Sequence, residues 1–301
     1  MGFNISGAAG VKAVWHVYQR AHKGFVVFYT MRDYLVFFSI FSVVAERHKI
    51  KVLGLCLMYN HIHILAEFDG RVAVSSFMHD LMTSFVNTYN KRYGLSGILF
   101  DKHGCAVKSG SKRIRTALAY LYNNPVEDRL CERAEQWRWN FLSYSSTRFP
   151  FSKPFALRNC PKRLRSAAEQ VNALRRSGTP VGYQVLDRLF MKLDFQEKMQ
   201  LVDHIISSYS IIEFKGAAAY YGNVQNMLTA FASNTGSEYD IAEKLDGRPG
   251  AEFKKMIRYI AGDKLSSGIL AMTEDERRIQ LEELVTVCGV KRANAKKILH
   301  L

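Results

Sequence analysis

LCLMYNHIHILAEF, Leu55 to Phe68, is the stretch whose reading decides the fold. Leu55, Leu57, Ile62, Ile64 and Leu65, with Phe68 closing the run, read as a buried β-strand. His61 and His63 stand two apart inside it. A pleated strand turns both imidazoles to one face, roughly 6–7 Å apart along the chain, close enough to share one metal ion. Imidazole is a good ligand for divalent transition metals and a tolerable one for manganese or magnesium. The pair alone is a weak motif, because nine histidines in 301 residues make a chance His-x-His common. Glu67 shares the face but lies about 13 Å beyond His63, too far to complete the same site.

A second stretch, TALAYLYNNPV from Thr116 to Val126, adds the missing chemistry. Ala117, Leu118, Ala119 and Leu121 are good helix formers, and Pro125 is expected to end the helix. Tyr120 and Asn124 are four apart, about 400° around the helix, and so share a face. Tyr122 is about 200° from both and points away. A tyrosine and a carboxamide presented one turn apart suit a nucleophile beside a metal ligand.

These two stretches resemble the single-tyrosine HUH transposases. The nearest branch is the REP-associated tyrosine transposases, whose stretches read approximately CLMPNHxHLL and YIHxNPV. WHVYQR (Trp15–Arg20), FYTMRDY (Phe28–Tyr34), NKRYGLSGILF (Asn90–Phe100) and WRWNFLSY (Trp137–Tyr144) extend the likeness, in the family's order, over the N-terminal half. Tyr59 stands where the family usually has Pro. Tyr122 stands where it usually has His, which places a rival tyrosine two residues from the expected nucleophile.

The resemblance implies a ferredoxin-like HUH domain with both histidines on a central strand. It implies a Mg2+ or Mn2+ ion held by His61, His63 and the side-chain oxygen of Asn124, bound weakly because one ligand is a neutral carboxamide. Tyr120 would cleave single-stranded DNA, becoming joined to the 5′-phosphate and leaving a free 3′-hydroxyl. The substrates implied are imperfect hairpins formed by short palindromic repeats. Some family members are homodimers that donate the tyrosine helix in trans.

Composition agrees with a nucleic-acid partner. A formal charge of +15 and a pI near 9.6 call for a polyanion, nucleic acid before membrane. Five scattered cysteines without a Cys-x-x-Cys fit a reducing cytoplasm and argue against disulfides or a zinc finger. The apolar run Tyr34 to Val44 is too short to span a bilayer. MGFNIS at the start matches a myristoylation pattern too short to weigh against chance. A cytoplasmic protein with no membrane partner is expected.

In chain order, strands are expected over Val11–Arg20, Lys51–Met58 and His61–Phe68, with a short last strand within Ile98–Lys108. Helices are expected over Met31–His48 and Val72–Tyr93. The fold class is α+β, an antiparallel sheet with helices on one face, followed by an all-α C-terminal domain. Asp101 and His103 read as turn residues, and Trp137 to Ser146 as packing back on the sheet.

Three of six prolines fall in Pro150–Pro161, so residues 1–149 form the HUH domain and 150–182 a basic linker. Residues 183–301 form a helical C-terminal domain, with helices over Leu186–Ser207 and Ile211–Ala232 and a polar connection over Ser233–Gly250. Within it, residues 281–301 read as a helix-turn-helix. Gly289 takes the turn, and Leu284, Val285, Cys288, Val290, Ala295 and Ile298 form the core.

Candidate phosphate contacts are Arg20, Lys23, Lys91, Arg92, Lys108, Lys112, Arg113 and Arg115, with Lys291, Arg292, Lys296 and Lys297 on the C-terminal helix. The rival function is a non-catalytic DNA-binding regulator that keeps the HUH fold. A histidine-triad nucleotidyl hydrolase needs a third alternating histidine, and position 65 is Leu.

Overall fold

The computed structural model describes residues 12–233, 250–260, 269–270 and 272–301. The myristoylation-like start, Val11 of the first expected strand and nearly all of the Ser233–Gly250 connection lie outside them.

Strands β1 (Ala13–Arg20), β2 (Lys51–Leu57), β3 (His61–Phe68) and β4 (Gly104–Lys108) form one antiparallel sheet in the order β2-β3-β1-β4. The His-x-His strand is therefore central, hydrogen-bonded on both sides. Tyr59-Asn60 is a tight join between β2 and β3: Met58 N–H donates to His61 O at 2.9 Å.

Helices α1 (Met31–Arg47) and α2 (Arg71–Tyr93) cover the sheet face that carries Ile62, Ile64, Ala66 and Phe68, as expected for a helix-covered sheet. Phe68 meets Phe77 of α2 at 5.7 Å between ring centroids. Phe28, Phe37 and Phe85 continue the layer with edge and stacked contacts of 4.9–5.8 Å. Thr30 and Asp33 start α1 with a reciprocal capping box. The buried Asp33 carboxylate also accepts from Tyr93 Oη at 2.6 Å and Tyr183 Oη at 2.8 Å, which ties the C-terminal region to α1.

The tyrosine helix, α3 (Ser111–Glu127), lies across the opposite sheet face. It runs past Pro125, which was expected to end it. A single proline removes only one donor here, and Asp128 N–H to Asn124 O (3.0 Å) and Leu130 N–H to Pro125 O (2.8 Å) close the last turn. Trp137 packs back as expected, donating from Nε1 to Leu57 O at 3.0 Å, while Trp139 stacks on Tyr34 at 4.4 Å.

Residues 150–182, read as a basic linker, contain α4 (Lys162–Arg176), whose Leu164, Ala167, Ala168 and Val171 are buried. Two of its arginines have carboxylate partners: Arg163 reaches Asp194 (2.8 Å) and Glu197 (2.7 Å), and Arg175 pairs with Glu46 of α1. The two long helices expected next are each divided. Leu186–Ser207 becomes α5 (Tyr183–Met191) and α6 (Phe195–Tyr209), because Asp194 and Glu197 form a capping box that starts a new helix. Ile211–Ala232 becomes α7 (Phe214–Ala219) and α8 (Val224–Ser233).

Helix α9 (Gly250–Ile260) precedes the C-terminal hairpin of α10 (Glu274–Cys288) and α11 (Arg292–Leu299). Gly289 has φ +60° at the turn, a left-handed conformation that a Cβ would oppose. Leu284, Cys288, Val290, Ala295 and Ile298 are buried. The hairpin docks on the loop after β1: Tyr29 Oη donates to Ile298 O at 2.7 Å, and Val26 N–H to Lys297 O at 3.2 Å. Among the described residues no helix is long and apolar enough to cross a membrane.

Candidate metal and tyrosine site

The antiparallel register assembles one chemical face. His16 lies opposite Leu65, Tyr18 opposite His63 and Arg20 opposite His61 across β1–β3, so all six side chains share the face under α3. Gly104 of β4 lies opposite Tyr18, and a Cβ there would meet the Tyr18 ring at 2.3 Å. Glycine at this position lets the tyrosine ring fold over the edge strand.

Asn124 of α3 reaches down between the two histidines. Its Oδ1 is 3.1 Å from His61 Nε2, and its Nδ2 is 3.2 Å from His63 Nε2. Tyr120, one turn earlier, stands edge-on to His63 with ring centroids 5.4 Å apart. Tyr122 points elsewhere: its ring packs on Phe231 at 5.1 Å, its hydroxyl reaches Leu53 O at 3.4 Å, and burial pushes its phenol upward. The structure thus brings His61, His63, Asn124 and Tyr120 together and leaves Tyr122 apart. Glu67 is outside the group, in an ion pair with Lys51 at 3.0 Å.

Two residues that sequence reasoning did not single out support the histidines from behind. Asn60 Nδ2 donates to Gly24 O at 3.2 Å, which turns its Oδ1 toward His61 Nδ1 at 2.7 Å. His61 Nδ1 therefore carries the proton, and Nε2 presents a lone pair. His16 Nε2 is 3.1 Å from His63 Nδ1. Alternation along β1 puts His16 on the face of Tyr18 and Arg20, but only the pairing of β1 with β3 brings it to His63.

All three imidazoles are held neutral. Burial first, then the charge of Lys108, lowers His16 to about 3. Burial lowers His61 to about 4; the Asn124 contact opposes this and the Arg20 charge adds to it. His63 is pushed well below the ordinary histidine range by burial, then by His61, His16 and Arg20. Neutral imidazole is the form that ligates metal.

Among the described residues no three His, Cys, Asp or Glu side chains gather as a metal cage. The donors that do converge are two imidazole Nε2 atoms and one carboxamide oxygen. In the orientation the structure gives Asn124, its Oδ1 faces the His61 Nε2 lone pair at 3.1 Å, two acceptors in contact. A cation relieves that contact, so the residues fit a divalent ion, held weakly for want of a carboxylate or thiolate.

The basic candidates are spread more widely. Arg20 is beside His61, and Lys112, Arg113 and Arg115 are exposed on the first turns of α3. Lys108 ends β4 opposite Val14, and Lys23 and Lys91 are exposed. Arg92 is paired with Asp187 at 2.7 Å, and Arg292 with Glu282. Lys291 N–H is bound to Glu252 at 3.0 Å, Lys296 is exposed, and the Lys297 stem lies against Gly24, next to Lys23. Asp101 is paired with His22 at 2.7 Å.

Residues 11–124 match the family model described as "Transposase IS200 like". Over that span the chain is similar to this family. The matched span contains His16, His61, His63, Tyr120 and Asn124. A solved structure described as a REP-associated tyrosine transposase bound to a REP hairpin aligns at 14% identity and a TM-score of 0.40, covering 51% of this chain and 92% of that one. No curated protein matches the chain. The likeness is to transposases, enzymes that act on DNA.

Proposed function

We propose that this protein is a metal-dependent, single-strand DNA endonuclease and transposase of the REP-associated branch, which cuts and rejoins DNA at hairpin-forming repeats. The observation that carries the reading is the convergence of His61 Nε2 and His63 Nε2 on the Asn124 carboxamide, with the Tyr120 ring against His63. His61, His63 and the Asn124 oxygen would hold Mg2+ or Mn2+. The ion's contribution is Lewis-acid polarisation of the scissile phosphate.

The chain's own groups do the rest. Tyr120 Oη attacks phosphorus, forming a bond to the 5′-phosphate as the bond to the 3′-oxygen breaks and that oxygen leaves as a hydroxyl. A phenol, with a pKa near 10, is a weak nucleophile until its proton is lost. Arg20, beside His61 in the register, contributes positive charge where the phosphate must sit. The phosphotyrosine ester conserves the bond energy for strand transfer. Tyr120 is only 4% exposed, so the site must open before its hydroxyl meets a strand. Lys112, Arg113 and Arg115 on the first turns of α3 and the basic residues of the C-terminal hairpin are the candidate phosphate contacts.

The test is a denaturing gel for a covalent protein–DNA adduct. Hairpin oligonucleotides from the gene's flanks are incubated with Mn2+, using wild type, Tyr120→Phe and Tyr122→Phe. The expected adduct is lost only in Tyr120→Phe. Loss only in Tyr122→Phe moves the nucleophile, and tight hairpin binding without any adduct supports the regulator instead.

A further inference from the structure

We propose that His16 is the positioning residue that sets the tautomer of His63, resting on the reading of His61 and His63 as metal ligands. His16 is 1% exposed and His63 is fully buried, so water does not compete for their facing nitrogens. His16 Nε2 and His63 Nδ1 are 3.1 Å apart, and the two ring planes differ by only 15°. The ring centroids are 5.3 Å apart, close to that contact plus the two ring radii. The hydrogen bond therefore runs in the plane of both rings, head to head, and this is not a face-to-face stack.

The geometry has one consequence for metal binding. His63 offers Nε2 toward Asn124 and, through that atom, toward a bound ion. An imidazole that ligates through Nε2 while neutral must keep its proton on Nδ1. His16 Nε2 faces that proton at 3.1 Å. His16 thus accepts at Nε2, holds its own proton on Nδ1, and fixes both the protonation and the direction of the His63 ring.

Asn60 does the same for His61, accepting from Nδ1 at 2.7 Å. Both ligands are thereby backed by neutral acceptors. Outer partners of metal-bound histidines are often carboxylates, which add negative charge and strengthen the ligand. A neutral pair orients the rings without that charge, leaving the ion's field undiminished toward an incoming phosphate anion. The same hydrogen bond excludes His16 as a third ligand, since its Nε2 is committed behind His63.

Two measurements test this. In 15N-labelled wild type loaded with Mg2+, long-range 1H–15N spectra are expected to show His63 Nδ1 protonated; an unprotonated Nδ1 overturns the proposal whatever any variant does. Mn2+ affinity is then measured by titration calorimetry for wild type, His16→Gln, His16→Phe and His61→Ala. Gln keeps an acceptor near the same place, whereas Phe keeps the ring and loses both nitrogens. His16→Phe should bind Mn2+ about 10–100-fold more weakly, and His16→Gln within a few-fold of wild type.

Wild-type affinity retained in His16→Phe, with binding abolished in His61→Ala, overturns the role of His16 alone. Absence of Mn2+ binding by wild type overturns the metal site itself. Should His16→Phe fail to fold, the wild-type spectrum and His16→Gln still decide the matter.

Discussion

Acidification from about pH 7.5 to about pH 5 should loosen this fold through buried His204 and half-buried His300, neither of them in the His61–His63 pair. His300 stacks on Phe25 at 4.6 Å and donates from Nε2 to Val26 O at 2.7 Å, holding the C-terminal hairpin to the loop after β1. His204 donates from Nε2 to Asn172 Oδ1 at 2.9 Å, within α6 where it faces α4. Burial is the largest cause in both and lowers each to about 4, with Arg277 acting in the same direction on His300 and Arg148 on His204. The folded forms are thus neutral where unfolded histidine, near 6.5, has taken a proton.

The sign follows directly. Stability from these groups is full above about pH 6.5, falls as pH drops toward 4, and levels off below. At about pH 5 each histidine costs the native state about 2 kcal/mol relative to neutral pH, and the pair about 4 kcal/mol. That is a large part of the roughly 5–15 kcal/mol stability of an ordinary protein. Urea denaturation of wild type, His300→Gln and His204→Gln at both pH values measures it. Each variant should lose about 2 kcal/mol less than wild type between the two conditions, whatever its own cost at the higher pH. Equal losses in all three proteins would refute the burial argument.

Gly104→Ala places a methyl group 2.3 Å from the Tyr18 ring, so the ring must move; the expected cost is about 1–3 kcal/mol by urea denaturation, and a negligible change would contradict the close approach. Gly289→Ala forces alanine to φ +60° at the turn before α11 and should cost roughly 1–2 kcal/mol, read as a lowered Tm. Hairpin affinity should fall at least tenfold between about 50 and 200 mM salt if several of the named lysines and arginines contact phosphates. A flat salt dependence would remove that electrostatic picture.

The elements themselves were largely legible in the sequence. The His61–Phe68 strand, the α1 and α2 helices, and the shared helix face of Tyr120 and Asn124 follow from local periodicity, because 3.6 residues per turn and two-residue alternation are properties of the backbone alone. Local signals misjudged what depends on a neighbour. Pro125 looked like a helix end, yet the following turn closes with its own hydrogen bonds. The segment 150–182 looked like a charged tether, yet its apolar positions pack as α4.

What the amino-acid sequence determined by itself was a strand presenting two imidazoles and a helix presenting a phenol and a carboxamide. Only the tertiary structure decided that these faces meet, that Asn124 sits between the two Nε2 atoms, and that Tyr122 is turned onto Phe231. It also decided that His16, 47 residues from His63, lies behind it. The reason is range. Periodicity is dictated within a few residues, whereas register, and pairings such as Arg175 with Glu46, are set by strands and helices distant in the chain that share one core.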